Sequence, residues 1–396
     1  MRFTAALLLV GTLWGTLCAT VRAQGQPSPG RAFANGPPAD PSFFPIGVWL
    51  QSPHNAARYA ELGINLYVGL YDGPTAAQLE ALEHAKMRVF CRQNEIGLAH
   101  RGKAIVGWMH DDEPDNAQTA AVGYGPPIQP WKIVEGYEAM RKRDPSRPVL
   151  LNLGQGAAWD GWHGRGTRTD HPEDYPEYLK GCDLASFDIY PVTHDHRDVA
   201  GRLAVVGEGV RRMLRWSGGK PIFACIETGH VSNAEVRPTP AQIRSEVWIA
   251  IACGARGIVY FVHEFAPKFV EASVFGYPEV AAALRAIDAE IAAFAPVLNG
   301  PTIGDAVTVA TAPADADVAV LAKRDGKALV LFVASLTGEP VTATFTLAVG
   351  RERGTVRALG APAFEIAERK LAWKDHRFED RIEGYGVRTY RLPGVQ

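Results

Sequence analysis

The 396-residue sequence lacks an excess of charge of either sign. Lys and Arg number 41 against 43 Asp and Glu, a formal net charge of −2. That balance leaves no basic surplus to neutralise a phosphate backbone and no acidic tail, so nucleic acid is excluded as an expected partner. Cysteine is scarce, at five residues, and no two are spaced as C-x-x-C. A cysteine-based metal knuckle is therefore excluded. Long apolar runs are missing after the N-terminus, which excludes a later membrane span. Low-complexity segments and coiled-coil heptads are missing too. The first strand-like run ends in Trp49-Leu50-Gln51-Ser52-Pro53. That is not the glycine-rich turn a dinucleotide-binding sheet places there.

What is present begins with an export signal. Arg2 precedes the apolar run Ala5–Leu13, and Val21-Arg22-Ala23 supplies a small residue before Gln24. The pattern predicts a signal peptide over 1–23 and a periplasmic or extracellular protein. The alternative, lipoprotein anchoring at Cys18, is disfavoured by the bulky Leu17. Residues 24–41, rich in Pro, Gly, Ala and Ser, predict a flexible leader. The four remaining cysteines are Cys91, Cys182, Cys225 and Cys253. Three of them lie inside apolar runs and are expected as buried free thiols.

From Pro45 onward, short continuous apolar runs alternate with helical patterns. The strand candidates are 45–50, 64–70, 87–91, 104–109, 149–153, 184–189, 221–226 and 257–262. Continuity rather than alternation marks strands buried on both faces. Thr75-Ala76-Ala77-Gln78 and Thr239-Pro240-Ala241-Gln242 match the capping box that opens a helix. A further helix is expected over Ile133–Arg143. Eight such units in about 250 residues predict an α/β fold, a (β/α)8 TIM barrel over 42–299. After Pro301 the runs shorten and alternate (307–310, 318–323, 328–334, 341–347, 386–392). A small antiparallel β-sandwich is predicted over 300–396.

Active sites of such barrels lie at the C-terminal ends of the strands. Strand by strand, those ends offer Trp49 and Gln51; Tyr71 and Asp72; Asn94 and Glu95; His110, Asp112 and Glu113; Asn152, with Trp159 and Trp162 further on; Asp188 and Tyr190; Glu227; and His263 and Glu264. Glu113 follows the fourth strand and Glu227 the seventh. Two carboxyls facing each other across the mouth are what glycoside cleavage requires, one to protonate the leaving oxygen and one to attack or to activate water. The tryptophans offer flat apolar faces that match a sugar ring, though in a glycine-rich loop they equally serve packing.

These segments resemble the clan of retaining (β/α)8 glycoside hydrolases. Gly107-Trp108…Asp112-Glu113-Pro114 is similar to that clan's acid/base segment, Lys220–Thr228 to its nucleophile strand, and Phe187-Asp188-Ile189-Tyr190-Pro191 to its sixth strand. The resemblance implies Glu113 as acid/base, Glu227 as nucleophile, Tyr190 as the nucleophile's hydrogen-bond partner, a carbohydrate substrate and no cofactor. It departs at Asp112, where the clan usually has an asparagine that binds the 2-hydroxyl. Asn94-Glu95 matches the clan's dipeptide but follows the third strand. Glu264 is the rival to Glu227. Two other classes remain open: a sugar-binding barrel without turnover, and a metal-dependent hydrolase using Asp111, Asp112, His194 and His196.

Overall fold

The computed structural model describes residues 33–265, 267–348 and 353–393, so the expected signal peptide and the first part of the leader lie outside the described residues. Eight parallel strands close into a barrel in sequence order. They are β1 (Ile46–Trp49), β2 (Leu66–Val68), β3 (Arg88–Cys91), β4 (Ile105–Met109), β5 (Val149–Leu153), β6 (Leu184–Phe187), β7 (Ile222–Glu227) and β8 (Gly257–Phe261). Each coincides with one of the apolar runs.

The helices that return the chain are α1 (Ala56–Leu62), α2 (Ala76–His84), α3 (Glu95–Ala99), α4 (Pro130–Arg143), α5 (Tyr175–Tyr178), α6 (Ala204–Trp216), α7 (Pro240–Ala252) and α8 (Pro278–Leu298). Both expected capping boxes are formed. Thr75 accepts from the Gln78 amide, Thr239 accepts from the Gln242 amide, and each glutamine reaches back to its cap.

Alternate residues of each strand face inward and outward. Leu66, Val68, Phe90, Val106, Leu150, Leu184, Phe223 and Val259 fill the barrel interior. Their neighbours pack against the helices. The interior has no spare room. A Cβ on Gly107 would stand 2.0 Å from the Phe90 ring, so β4 passes that ring only because the position has no side chain. With the interior packed, a ligand is admitted only at the mouth.

The chain then builds eight antiparallel strands: β9 (Val307–Ala312), β10 (Val318–Asp325), β11 (Ala328–Ser335), β12 (Val341–Leu347), β13 (Arg353–Ala358), β14 (Arg369–Lys374), β15 (Arg377–Ile382) and β16 (Val387–Leu392). Their order is β10-β11-β16-β13-β14-β15-β12-β9. β14 and β15 are joined at a single pair, Lys374 and Arg377. The sheet folds over at that joint. Phe345 of β12 packs at 5.3 Å on Tyr390 of β16, although the two strands are not neighbours.

The second unit shares its core with the barrel. Phe332 of β11 stacks on Trp248 of α7 at 5.5 Å and 11°. Val330, Phe332 and Ala334 belong to the same apolar cluster as the barrel helices. All four described cysteines are free thiols; Cys91, Cys182 and Cys225 are buried and Cys253 is half-buried.

Candidate active site

A cleft of about 880 Å3 opens at the C-terminal mouth of the barrel. The β4–α4 loop supplies its acids, and the loop is held from below. Asp115 is fully buried; its carboxylate accepts from the Gly154 amide and the Tyr175 hydroxyl, both at 2.9 Å. Arg165, also buried, donates to the Asp115 carbonyl and pairs with Asp174 at 2.7 Å. Unlike a solvated acidic run, then, each acid has a distinct place. Asp111 pairs with Arg92 on the surface at 2.7 Å, Asp115 anchors the loop, and Asp112 and Glu113 line the cleft.

Glu113 has a left-handed backbone, with φ of 43°. A β-carbon disfavours that conformation, so the surrounding contacts impose it. Asn116 is the main one. Its Nδ2 donates to Glu113 Oε2 at 2.9 Å, and its Oδ1 accepts from the Trp162 indole at 2.9 Å. The indole thereby fixes which end of the Asn116 amide faces the acid. Gly154, just past β5, lets the acid sit this deep. A Cβ there would stand 2.9 Å from Glu113 Oε1.

Asp188 lies beside Glu113. Asn152, from β5, donates to Asp112 Oδ1 at 2.8 Å and accepts from the Ser186 hydroxyl at 2.6 Å. Three carboxyls therefore crowd one wall. Burial pushes the Glu113 carboxyl well above its ordinary range, and the neighbouring charges of Asp188 and Asp112 push it further. Burial raises Asp188 to about 7, opposed by contact with Glu113 and the Tyr190 hydroxyl. Asp112 is raised to about 6, chiefly by desolvation, with the Asn152 hydrogen bond opposing and the charge of Asp115 adding. Asp112 is ringed by protein yet open to the water in the cleft, so the push on it grows when a ligand displaces that water. Burial and like charge thus favour the protonated form of Glu113, while Asp112, at about 6, is mostly ionised at neutral pH.

The opposite wall is built by β1 and the β8–α8 loop. Gln51 accepts from Tyr59 at 2.5 Å and donates to the Glu271 carbonyl at 2.8 Å. Its amide also meets His263 Nε2 at 3.0 Å. Burial lowers the His263 pKa, which keeps the ring neutral and so an acceptor from that amide. Glu271 lines the cleft and takes the Ser52 amide at 2.5 Å. Tyr71, Phe265 and Phe269, exposed at 74%, 54% and 61%, form an aromatic rim.

Trp49, Gln51, Asp112, Glu113, Asn152, Trp162, Asp188, Tyr190 and His263 all line this cleft. Five expected residues do not. Glu227, expected as the nucleophile, is 0% exposed, and its two carboxylate oxygens accept from the backbone amides of Val192 and Thr193 at 2.6 and 3.0 Å. Burial raises it to about 7; burial also raises Glu246 of α7, and the charge of Glu227 adds to that. It ties the β6–α6 loop down and presents nothing to a substrate. The residue of β7 that faces the cleft is Cys225.

Glu264 is likewise buried, accepting from Tyr277 at 2.9 Å and the His230 amide at 3.2 Å. His110 meets the Gly181 carbonyl at 2.8 Å. Asn94 caps α3, accepting from the Gly97 amide at 2.8 Å, and Glu95 pairs with Arg143 on the surface. Trp159 packs on His194 and His196 at 5.6 and 4.5 Å. His194 is engaged within the protein, by Gln155 at 2.8 Å and the His196 amide at 2.9 Å. Tyr190, expected beside the nucleophile, instead meets Asp188. Glu271, Phe265 and Phe269 were not anticipated; they follow β8 across a loop without any motif.

No family model matches this chain, and no curated protein matches it. Among solved structures it is similar to a maltogenic alpha-amylase from Thermotoga neapolitana, 9% identical, over 89% of this chain and 99% of that one, with a TM-score of 0.51. An alpha-L-arabinofuranosidase from Thermotoga maritima is 10% identical, over 89% and 97% of the two chains, with a TM-score of 0.49. A GH30 endoxylanase from Clostridium papyrosolvens is 11% identical, over 88% and 96%, with a TM-score of 0.48. At such identities the likeness is one of fold. With the amylase this chain shares the fold, and its own architecture is a closed parallel barrel followed by an antiparallel sheet.

Proposed function

We propose that the protein is an exported glycoside hydrolase with Glu113 as its general acid. The observation that carries this reading is a glutamate in the loop just past β4, lining the cleft beside two further carboxyls, where burial and like charge favour its protonated form. Glycoside cleavage needs a donor that is still protonated near neutral pH, together with negative charge to stabilise an oxocarbenium-like transition state. Glu113 is the donor; Asp112 and Asp188 supply the charge. The aromatic rim offers stacking faces for sugar rings. Retention through a covalent link to Glu227 is not supported, because that carboxylate is sealed under the β6–α6 loop. Export rests on the signal-like residues 1–23. No helix among the described residues is long and apolar enough to cross a membrane.

The test is release of reducing ends from a broad panel of oligosaccharides and aryl glycosides by the wild type and Glu113→Gln. Loss of a general acid costs about 10²–10⁴ in turnover for a poor leaving group. The loss should be smaller for aryl glycosides, whose leaving oxygen needs less protonation. Equal turnover by both proteins overturns the assignment. Tight binding of sugars without release by the wild type favours a binding barrel instead.

A further inference from the structure

Cleavage of a glycoside needs a group at the anomeric carbon as well as a proton on the leaving oxygen. In this barrel the acids nearest Glu113 stand on its own wall, and the carboxylate of the far wall, Glu271, is taken up by the Ser52 amide. Glu113 and Asp188 are in hydrogen-bond contact on the β4–β6 wall, and Asp112 lies beside them, held by Asn152. Carboxyls in mutual contact cannot hold a sugar between them; a retaining pair stands about 5–5.5 Å apart with the sugar ring in the gap. The end of β7, from which an opposed carboxylate would come, shows the cleft a thiol, Cys225, that burial keeps neutral.

Asp112 has an unused capacity. One of its oxygens accepts from Asn152, and its carboxylate lines the open cleft. It is adjacent in sequence to the acid. A sugar's leaving oxygen and its 2-substituent are on adjacent carbons, so consecutive side chains can address both.

Resting on the glycosidase reading above, we infer that the cleft takes a sugar bearing a 2-acetamido group, and that this group attacks the anomeric carbon while Asp112 holds its N–H. In the first step the bond from C1 to the leaving oxygen breaks and takes the Glu113 proton. A lone pair of the acetamide carbonyl oxygen forms the new bond to C1. The product is a bicyclic oxazolinium ion, whose N–H Asp112 retains and whose charge it offsets. In the second step water adds to C1 and gives its proton to Glu113, and the C1 bond to the acetamide oxygen breaks. The acetamide is restored, Glu113 is again protonated, and no oxidant or cofactor is consumed. C1 is inverted twice, so its configuration is retained without a covalent enzyme intermediate. Asn152 is then a positioning residue, which holds Asp112 at the proper angle.

The test uses 4-nitrophenyl 2-acetamido-2-deoxy glycosides of the gluco and galacto series in both anomers, their 2-hydroxy counterparts, and analogues with one, two or three fluorines on the acetyl group. Fluorine withdraws electrons from the carbonyl oxygen without altering the leaving group. The expected results are hydrolysis of the acetamido compounds, a fall of roughly 100-fold in kcat from acetyl to trifluoroacetyl, and NMR detection of the retained anomer first. Asp112→Asn should lower kcat by about 10²–10³ with KM changed little, at an unchanged Tm. Hydrolysis of the 2-hydroxy compounds alone, a flat fluorine series, or an inverted product overturns the inference and leaves the glycosidase reading standing. An inverted product would point to Glu271 activating water from the far wall. No hydrolysis of any of these compounds overturns the inference, and the glycosidase reading falls with it only if the broad panel above is untouched as well.

Discussion

Replacing Asp188 by asparagine should move the alkaline limit of activity downward. On the proposed reading Glu113 works while protonated, and the negative charge of Asp188 is one of the influences that push its carboxyl upward. A neighbouring like charge raises a carboxyl's pKa, so removing it lowers the pKa; the acid is then lost at a lower pH. Two unit charges about 4 Å apart at an effective dielectric near 20 interact by about 4 kcal/mol. At about 1.4 kcal/mol per unit, that is an upper bound of roughly three pKa units. The cleft is open to water, and Asp112 remains. Screening reduces the expected shift to about one to two units. The measurement is kcat/KM against pH for wild type and Asp188→Asn, which reports the free enzyme's groups. The acidic limb, set by ionisation of Asp112 near 6, should move slightly downward, because one repelling carboxylate is gone. An alkaline limb that stays put or moves upward would refute the idea that Asp188 holds the proton on Glu113.

Gly154→Ala should cut kcat by about tenfold or more while leaving the fold intact, because the new methyl meets Glu113 Oε1 and the Asn116 amide at 2.8–2.9 Å; activity and Tm measured side by side separate the two effects. Trp162→Phe removes the donor that orients Asn116 and should lower kcat severalfold, about the worth of one hydrogen bond, with sugar affinity less affected. Glu246→Gln should raise Tm by a few degrees at pH 8 and little at pH 5, as read by thermal melts across pH. The sign follows from linkage. Buried Glu246 and Glu227 have folded pKa values above their unfolded ones, so their stabilising contribution is full at acid pH and is lost as pH rises through the folded values. Trp248→Ala should cost about 3–5 kcal/mol and lower a single shared melting transition rather than split it, since the indole joins α7 to Phe332.

The barrel was legible because parallel strands buried on both sides leave unbroken apolar runs such as Val149–Leu153, and eight of them alternate with helical patterns. β13, β14 and β15 were not. Arg369–Lys374 buries only Trp373, the inward series Phe378, Asp380, Ile382 of β15 is broken by a charge, and the charged outer residues of both read as loop. In the site, the acids of the β4–α4 loop were legible because no packing need explains them. The direction of a side chain at a strand's end was not. Glu227 ends its strand where a nucleophile would, and only the two amides of a distant loop show that the carboxylate is spoken for. Asn94 misled for a related reason. An asparagine before a glutamate is also how a short helix begins, and here it caps α3.

The left-handed backbone of Glu113 bears on how this protein holds its activity over generations. Glycine would relieve the backbone at that position, and asparagine would tolerate it better than glutamate does. Mutations that discard the acid are therefore among those that ought to make the chain sturdier. A lineage selected only for abundance would drift toward them, and copies of this barrel freed from their substrate should be found with the acid gone and the scaffold improved.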